Sequence, residues 1–299
     1  MSLAPRVVLV HRRTEYEELL ARHGSRGQAS FFTGSRGRSL AEVEERHHRS
    51  LAALAEVAGA VPLDWRRSRV ERTDLDRFLF GPEDLVVVVG QDGLVANAAK
   101  YLSGQPVIGV DTEPGRNPGV LVRHRPDQAG RLLRAAAGPG AERQLEERTM
   151  VEAVADDTQR LLALNEVYLG QSGHQTSRYR LAVGGGPEEA QASSGVLVGT
   201  GTGATGWCRS AALERAGALP PPGPTASALA WFVREAWPSP TTGTAQVQGL
   251  LAPGEALTLT VESDRLIAFG DGVESDALQL SWGQTVRVGV AAQRLRLFV

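Results

Sequence analysis

The stretch Val86-Val-Val-Val-Gly90-Gln-Asp92-Gly93-Leu94 decides how this sequence is read. Four valines run into a glycine, an amide residue, an acid and a second glycine. Apolar residues then return at helical spacing at Val95, Ala98, Ala99 and Leu102. A β-branched run without polar alternation suits a strand buried on both faces of a parallel sheet, and the pattern after it suits a turn and a helix. Asp92 then stands at the carboxyl end of a strand, where open α/β sheets bind their ligands. Gly90 and Gly93 let a phosphate group come close to the backbone. An acid so placed can accept the proton of a substrate hydroxyl as that oxygen attacks a phosphate. An aspartate in a turn also serves simply to bond the nearby backbone.

Outward from this turn, strands and helices alternate. Residues 6–10 (Arg-Val-Val-Leu-Val) read as a first strand and 14–22 as a short helix. His23 to Arg38, rich in Gly, Ser and Arg, reads as a loop. Ser39-Leu-Ala-Glu42 is a capping-box pattern. It opens a helix to about Ala58 with Leu40, Val43, Leu51, Leu54 and Ala55 on one side. Val61–Trp65 is the expected second strand, Leu85–Val89 the third and Pro106–Asp111 the fourth, with a helix near Asp127–Ala137. This order predicts a doubly wound parallel α/β sheet over residues 1–138. Gly138-Pro-Gly-Ala marks the expected boundary. Residues 139–299 are then a β-rich, sandwich-like domain whose last strands return to the first domain. Its strand-like runs fall at 159–169, 177–183, 195–200, 246–251, 256–262, 265–269 and 284–290. The charge runs 66–77 and 142–148 read as solvated faces.

Composition narrows the function. Among 299 residues there are 32 Lys+Arg against 34 Asp+Glu, a net charge of −2, which gives no electrostatic case for nucleic acid or an anionic membrane surface. Cys208 is the lone cysteine, so neither an intramolecular disulfide nor a cysteine metal cluster can form within the chain. Together with the lack of a long apolar run, this sets the expectation of a cytoplasmic protein. Lys100 is the sole lysine, and no Gly-Lys-Ser/Thr phosphate loop exists.

Gly201-Thr-Gly203-Ala-Thr-Gly206 matches the dinucleotide pattern G-x-G-x-x-G, but its surroundings do not. It lies in the β-rich half, Pro220 onward replaces the next strand, and the acid expected about 20 residues on is missing. What remains is a loop whose amides and hydroxyls suit a polar ligand. Asn165-Glu166 interrupts the apolar run Leu161-Leu-Ala-Leu-Asn-Glu-Val-Tyr-Leu169. Such a pair either turns one member to solvent or holds paired hydroxyls such as those of a ribose. Adjacent His47 and His48 point to different helix faces and make a poor metal pair. Gly170-Gln-Ser172-Gly173 lacks the spacing of a nucleophile elbow, and His174 beside it reads as a loop residue.

Four segments in this order resemble the NAD kinase family: Gly90-Gln-Asp-Gly-Leu94, Pro106-Val-Ile-Gly-Val-Asp-Thr112, Asn165-Glu166 and Thr200-Gly-Thr-Gly-Ala-Thr-Gly-Trp207. Asp111-Thr-Glu-Pro-Gly-Arg116, Ser193-Ser-Gly-Val196 and Arg46-His47-His48 look more like its mitochondrial type than its common bacterial type. The likeness covers roughly residues 6–210, and more loosely Gly270-Asp-Gly272. It implies phosphate transfer from ATP, with Mg²⁺, to the adenosine 2′-hydroxyl of NAD(H) in a homodimer or homotetramer. It implies Asp92 as proton acceptor, with Gly90, Gln91 and Gly93 at the phosphates. Asn165 and Glu166 fall at the ribose and nicotinamide side, and Thr202, Gly203, Thr205 and Gly206 along the dinucleotide. Gln91 stands where the family has glycine, Leu94 where it has a hydroxyl residue and Asp111 where asparagine is usual. These departures set the alternative of a catalytically weak dinucleotide-binding or regulatory protein. A kinase for another hydroxyl substrate is a further reading.

Overall fold

The computed structural model describes residues 4–116, 119–215, 217 and 220–299. The chain forms two compact units. The first runs to Glu146 and takes back Arg296–Val299; the second is Glu147–Leu295.

The first unit contains β1 (Arg6–His11), α1 (Glu15–His23), α2 (Arg26–Gly34), α3 (Leu40–Gly59), β2 (Arg66–Glu71), β3 (Asp84–Gly90), α4 (Asp92–Ala99), β4 (Pro106–Asp111) and α5 (Ala129–Ala136). Its strands lie parallel in the order β2-β1-β3-β4, and Arg296 and Leu297 add to β4, also in parallel. The valine run explains the position of β3. Val87 and Val89, with Val7, Leu9, Ile108 and Val110, pack against α3 and α5, while Val86 and Val88 are fully buried on the opposite face. A side chain of this size contributes roughly 1.5–3 kcal/mol when fully buried. From β1 the chain moves to β2 on one side and to β3 on the other, so the topological switch lies between β1 and β3.

Four expectations are corrected in this unit. Residues 23–38 are not a loop throughout, because α2 forms there. Ser25 accepts from the Gln28 N–H at its start, and Ala29 and Thr33 are buried. The second strand is Arg66–Glu71 and not Val61–Trp65. Pro62 heads a turn whose carbonyl accepts from the Trp65 N–H, and the charged run next to it supplies an edge strand with only Val70 buried. The Ser39 capping box is not made, and Leu51 points outward.

The second unit continues with β5 (Leu145–Ala155), β6 (Arg160–Ala163), β7 (Glu166–Gly170), β8 (Ser177–Val183), β9 (Glu189–Ser193), β10 (Gly195–Gly199), α6 (Trp207–Leu213), β11 (Leu229–Arg234), β12 (Gln248–Leu251), β13 (Ala256–Val261), β14 (Arg265–Gly270), β15 (Val273–Ser281) and β16 (Thr285–Phe298). One antiparallel sheet has the order β12-β11-β10-β7-β14-β15. The other strands pair as β9-β8-β13-β16, with β5 against β16 and β6. Leu169, Val198, Trp231 and Leu266 of the first set meet Tyr179, Leu181, Leu259 and Val288 of the second in one apolar core. The expected strand 159–169 is broken at residues 164–165 into β6 and β7. The run 142–148 is mostly solvent-facing, as expected, but its last four residues open β5 and Arg148 is buried.

Candidate functional site

Candidate residues gather in two places, one in each unit. In the first, Gly90 ends β3, Gln91 precedes α4, and Asp92 is the first helical residue. Gln91 is extended (φ −124°, ψ 164°), a conformation open to any residue, so glycine is not needed there. Gly93 faces open space, whereas a Cβ on Gly90 would lie 3.1 Å from the Leu94 side chain. The room for an approaching phosphate is therefore at Gly93. Asp92 holds a neighbouring segment: one oxygen accepts from the Leu121 and Val122 N–H groups at 2.8 and 2.9 Å, the other from Val120 at 2.9 Å. That segment runs so close to β4 that a Cβ on Gly109 would sit 2.1 Å from the Leu121 carbonyl oxygen.

A cleft opens at the carboxyl ends of β1, β3 and β4, where the topological switch places a ligand crevice. Arg12, Arg46, His47, Gln91, Thr112 and Glu113 line it. Arg46 pairs with Glu15 at 2.8 Å, His47 Nδ1 lies 2.8 Å from the Thr14 hydroxyl, and Gln91 Nε2 donates across 3.4 Å to Glu113. Asp111 accepts the Glu113 N–H with one oxygen, and its other oxygen takes no bond among the described residues.

In the second unit the break between β6 and β7 builds the site. Asn165 lies in the break and Glu166 opens β7. The carbonyls of this corner are taken by Thr200, whose hydroxyl donates to Leu164 at 2.6 Å and whose N–H donates to Asn165 at 2.9 Å. The Thr200 hydroxyl also accepts from the N–H groups of Thr202 and Gly203. Gly203 packs so closely that a Cβ would stand 2.2 Å from the Asn165 carbonyl oxygen, and a Cβ on Gly199 would stand 3.4 Å from the Glu166 Cβ. Asn165, Glu166, Thr202 and Gly203 thus form one cluster. Thr205 and Gly206 are exposed on the same loop, and Trp207 beyond them stacks on Tyr168 with centroids 5.5 Å apart.

Two groups in this cluster lack partners. The Glu166 carboxylate accepts no hydrogen bond among the described residues; burial, and secondarily the charge of Asp271, raise its pKa to about 7. The Thr202 hydroxyl, on a residue only 4% exposed, has no partner either. Burial, with a contribution from Glu166, also pushes the Cys208 thiol up to about 12, which leaves it a packing group at ordinary pH. Sequence patterning passed over Arg12, which carries no periodic or motif signal. It touched Asp271 only loosely, although Gly270-Asp-Gly272 repeats the Asp-Gly of the opening turn.

The parallel α/β unit followed by a β unit has the fold of NAD kinases. Superposed on the NAD kinase from Archaeoglobus fulgidus solved in complex with ATP, the chain gives a TM-score of 0.60 over 98% of its length and 93% of the other, at 17% identity, a likeness of fold alone. In sequence the chain is similar to NAD kinases of the mitochondrial type. The chain is 28% identical to human NAD kinase 2, mitochondrial, over 68% of its own length, and 27% identical to the Xenopus tropicalis protein of that name over the same share. It spans 57% of the human relative and 62% of the Xenopus one. No family model matches the chain.

Proposed function

We propose that this chain transfers the terminal phosphate of ATP to the adenosine 2′-hydroxyl of NAD(H), giving NADP(H). The observation that carries the reading is the corner at Asn165-Glu166. Its backbone packs against the Thr200–Gly203 loop, its Glu166 carboxylate is free of protein partners, and the loop carries the buried, orphaned Thr202 hydroxyl. Such a set supplies donors and acceptors for ribose hydroxyls and amide groups, and unmet polar groups of this kind gain most from a ligand that satisfies them.

The chemistry asks mainly for alignment and charge neutralisation. An ionised carboxylate has about four lone-pair sites. Backbone amides take three of Asp92's, which fixes its direction and leaves one for the substrate hydroxyl proton. Arg12 and Arg46 stand at the cleft for donor phosphates. Among the described residues no three His, Cys, Asp or Glu are gathered as for a metal cage. A Mg²⁺ that travels with nucleotide phosphates needs only one or two carboxylates from the protein. Asp111, with one oxygen uncommitted, and Glu113 fit that share and would hold it. When bound, the ion neutralises phosphate charge.

The test is NADP formation from NAD, ATP and Mg²⁺, with Asp92→Asn alongside. NADP formation indifferent to Asp92→Asn sinks the mechanism, and no turnover with any nucleoside triphosphate or polyphosphate sinks the function. The second reading, dinucleotide binding without turnover, is favoured by the Gln91 side chain, which reaches across the cleft toward Glu113. Calorimetric binding of NAD without product would select it. Self-association as a homodimer or homotetramer and a cytoplasmic location belong to the same proposal, read by sedimentation and by cell fractionation.

A further inference from the structure

We propose that Asp271 is a positioning residue for the dinucleotide: its carboxylate fixes the Asn165-Glu166 corner in the direction the ribose requires. The inference rests on the proposed function above, because it gives that corner a ligand.

Asp271 and Gly272 form the two-residue connection between β14 and β15, and both have positive φ, 54° and 67°. Asp-Gly is a favoured pair for such a turn, so the turn alone explains why an Asp or an Asn stands there. It does not explain where the side chain goes. One Asp271 oxygen accepts from the Asn165 N–H at 2.7 Å and the Glu166 N–H at 3.3 Å; the other accepts from Leu164 at 2.8 Å. The Asp271 N–H in turn donates to the Glu166 carbonyl at 3.1 Å. With Thr200 holding the Leu164 and Asn165 carbonyls from the other side, the corner is fastened through both its donors and its acceptors.

A fastened corner matters because β6 and β7 would otherwise continue as one strand through the apolar run. Strand continuation would send Asn165 and Glu166 to opposite faces. The three amide bonds hold the break open. They require an acceptor at both side-chain oxygens, which Asn cannot supply: its amide nitrogen would face an N–H donor. Asn does keep the turn. Asp271→Asn therefore separates the two roles, and Asp271→Gly, also compatible with positive φ, removes the side chain altogether.

The experiment measures NAD affinity by calorimetry and KM and kcat for NAD in this chain and in both variants, with amide hydrogen exchange at residues 164–166. We expect exchange at these amides to quicken selectively, and NAD affinity to fall about tenfold in Asp271→Asn and further in Asp271→Gly, on the scale of lost charge-assisted hydrogen bonds. The charged and titratable groups acting on Glu166 are Asp271 from the turn and Cys208 from α6. Neutralising Asp271 should therefore move the Glu166-dependent limb of NAD binding to lower pH, a change that looser packing alone would not produce. Wild-type affinity and an unmoved pH limb in either folded variant overturn the inference and leave the proposed function standing. Failure of the wild-type chain to bind NAD overturns both.

Discussion

Glu166→Gln should stabilise the protein by an amount that grows as pH rises from about 4.5 to about 7. The Glu166 carboxyl titrates at 4.5 when unperturbed and at about 7 in the folded chain, because burial and then Asp271 disfavour its charge. The folded state thus binds this proton more tightly than the unfolded state. The resulting stability is complete below about pH 4.5 and is lost as pH rises through about 7. At roughly 1.4 kcal/mol per tenfold, ionisation of Glu166 costs the folded state about 3 kcal/mol near pH 8 and about 0.8 kcal/mol near pH 5. Glutamine keeps the shape and escapes the charge. The gain from Glu166→Gln over wild type should therefore be about 2–3 kcal/mol larger near pH 8 than near pH 5. Urea unfolding followed by tryptophan fluorescence reads this, since Trp207, Trp231, Trp237 and Trp282 lie in the same unit as Glu166 and only Trp65 lies in the other. The same variant should lose NAD affinity. An equal stability gap at the two pH values would refute the reasoning.

Other expectations follow from single contacts. Asp92→Asn should abolish NADP formation and quicken amide exchange at Val120, Leu121 and Val122; intact activity with unchanged exchange would contradict its placement. Gly203→Ala puts a Cβ 2.2 Å from the Asn165 carbonyl oxygen, so thermal unfolding should shift by an amount equivalent to roughly 1–3 kcal/mol, with NAD binding weakened. Thr202→Val removes an orphaned buried hydroxyl and should leave the fold as stable or about 1 kcal/mol more so, while NAD affinity drops; unchanged affinity would mean the hydroxyl does not meet the ligand.

The parts of the fold that could be read from the sequence are those whose burial is total. β3 and its neighbours β1 and β4 are apolar on both faces, so their valines, leucines and isoleucine form runs that periodicity detects. β2 escaped because an edge strand with one buried residue carries the composition of a surface. α2 escaped because its two glycines, Ser30 and Thr33, poor helix formers, are held in place by α1 and α3. At the site, the Asn-Glu pair and the threonine-glycine loop stood out as polar residues in apolar surroundings. The break that aims them did not, since Leu161-Leu-Ala-Leu164 reads straight through it. Its cause is Asp271, more than a hundred positions away. Gly203 read as part of a loop contacting a polar ligand; in the structure it packs closely against Asn165.

The two aspartates that each gather three consecutive amides differ in when they can act. Asp92 reaches its partners across 28 to 30 positions, all of which leave the ribosome before the second unit begins. Asp271 reaches Leu164 across 107, and between them lie the strands from β7 to β14. Long-range closures of this kind form late in folding. A nascent or truncated chain that ends before β15 can carry the complete Gly90–Gly93 turn and still lack a shaped Asn165-Glu166 corner. Dinucleotide binding by this protein would therefore report that synthesis has passed residue 271, and partly made chains would not sequester NAD.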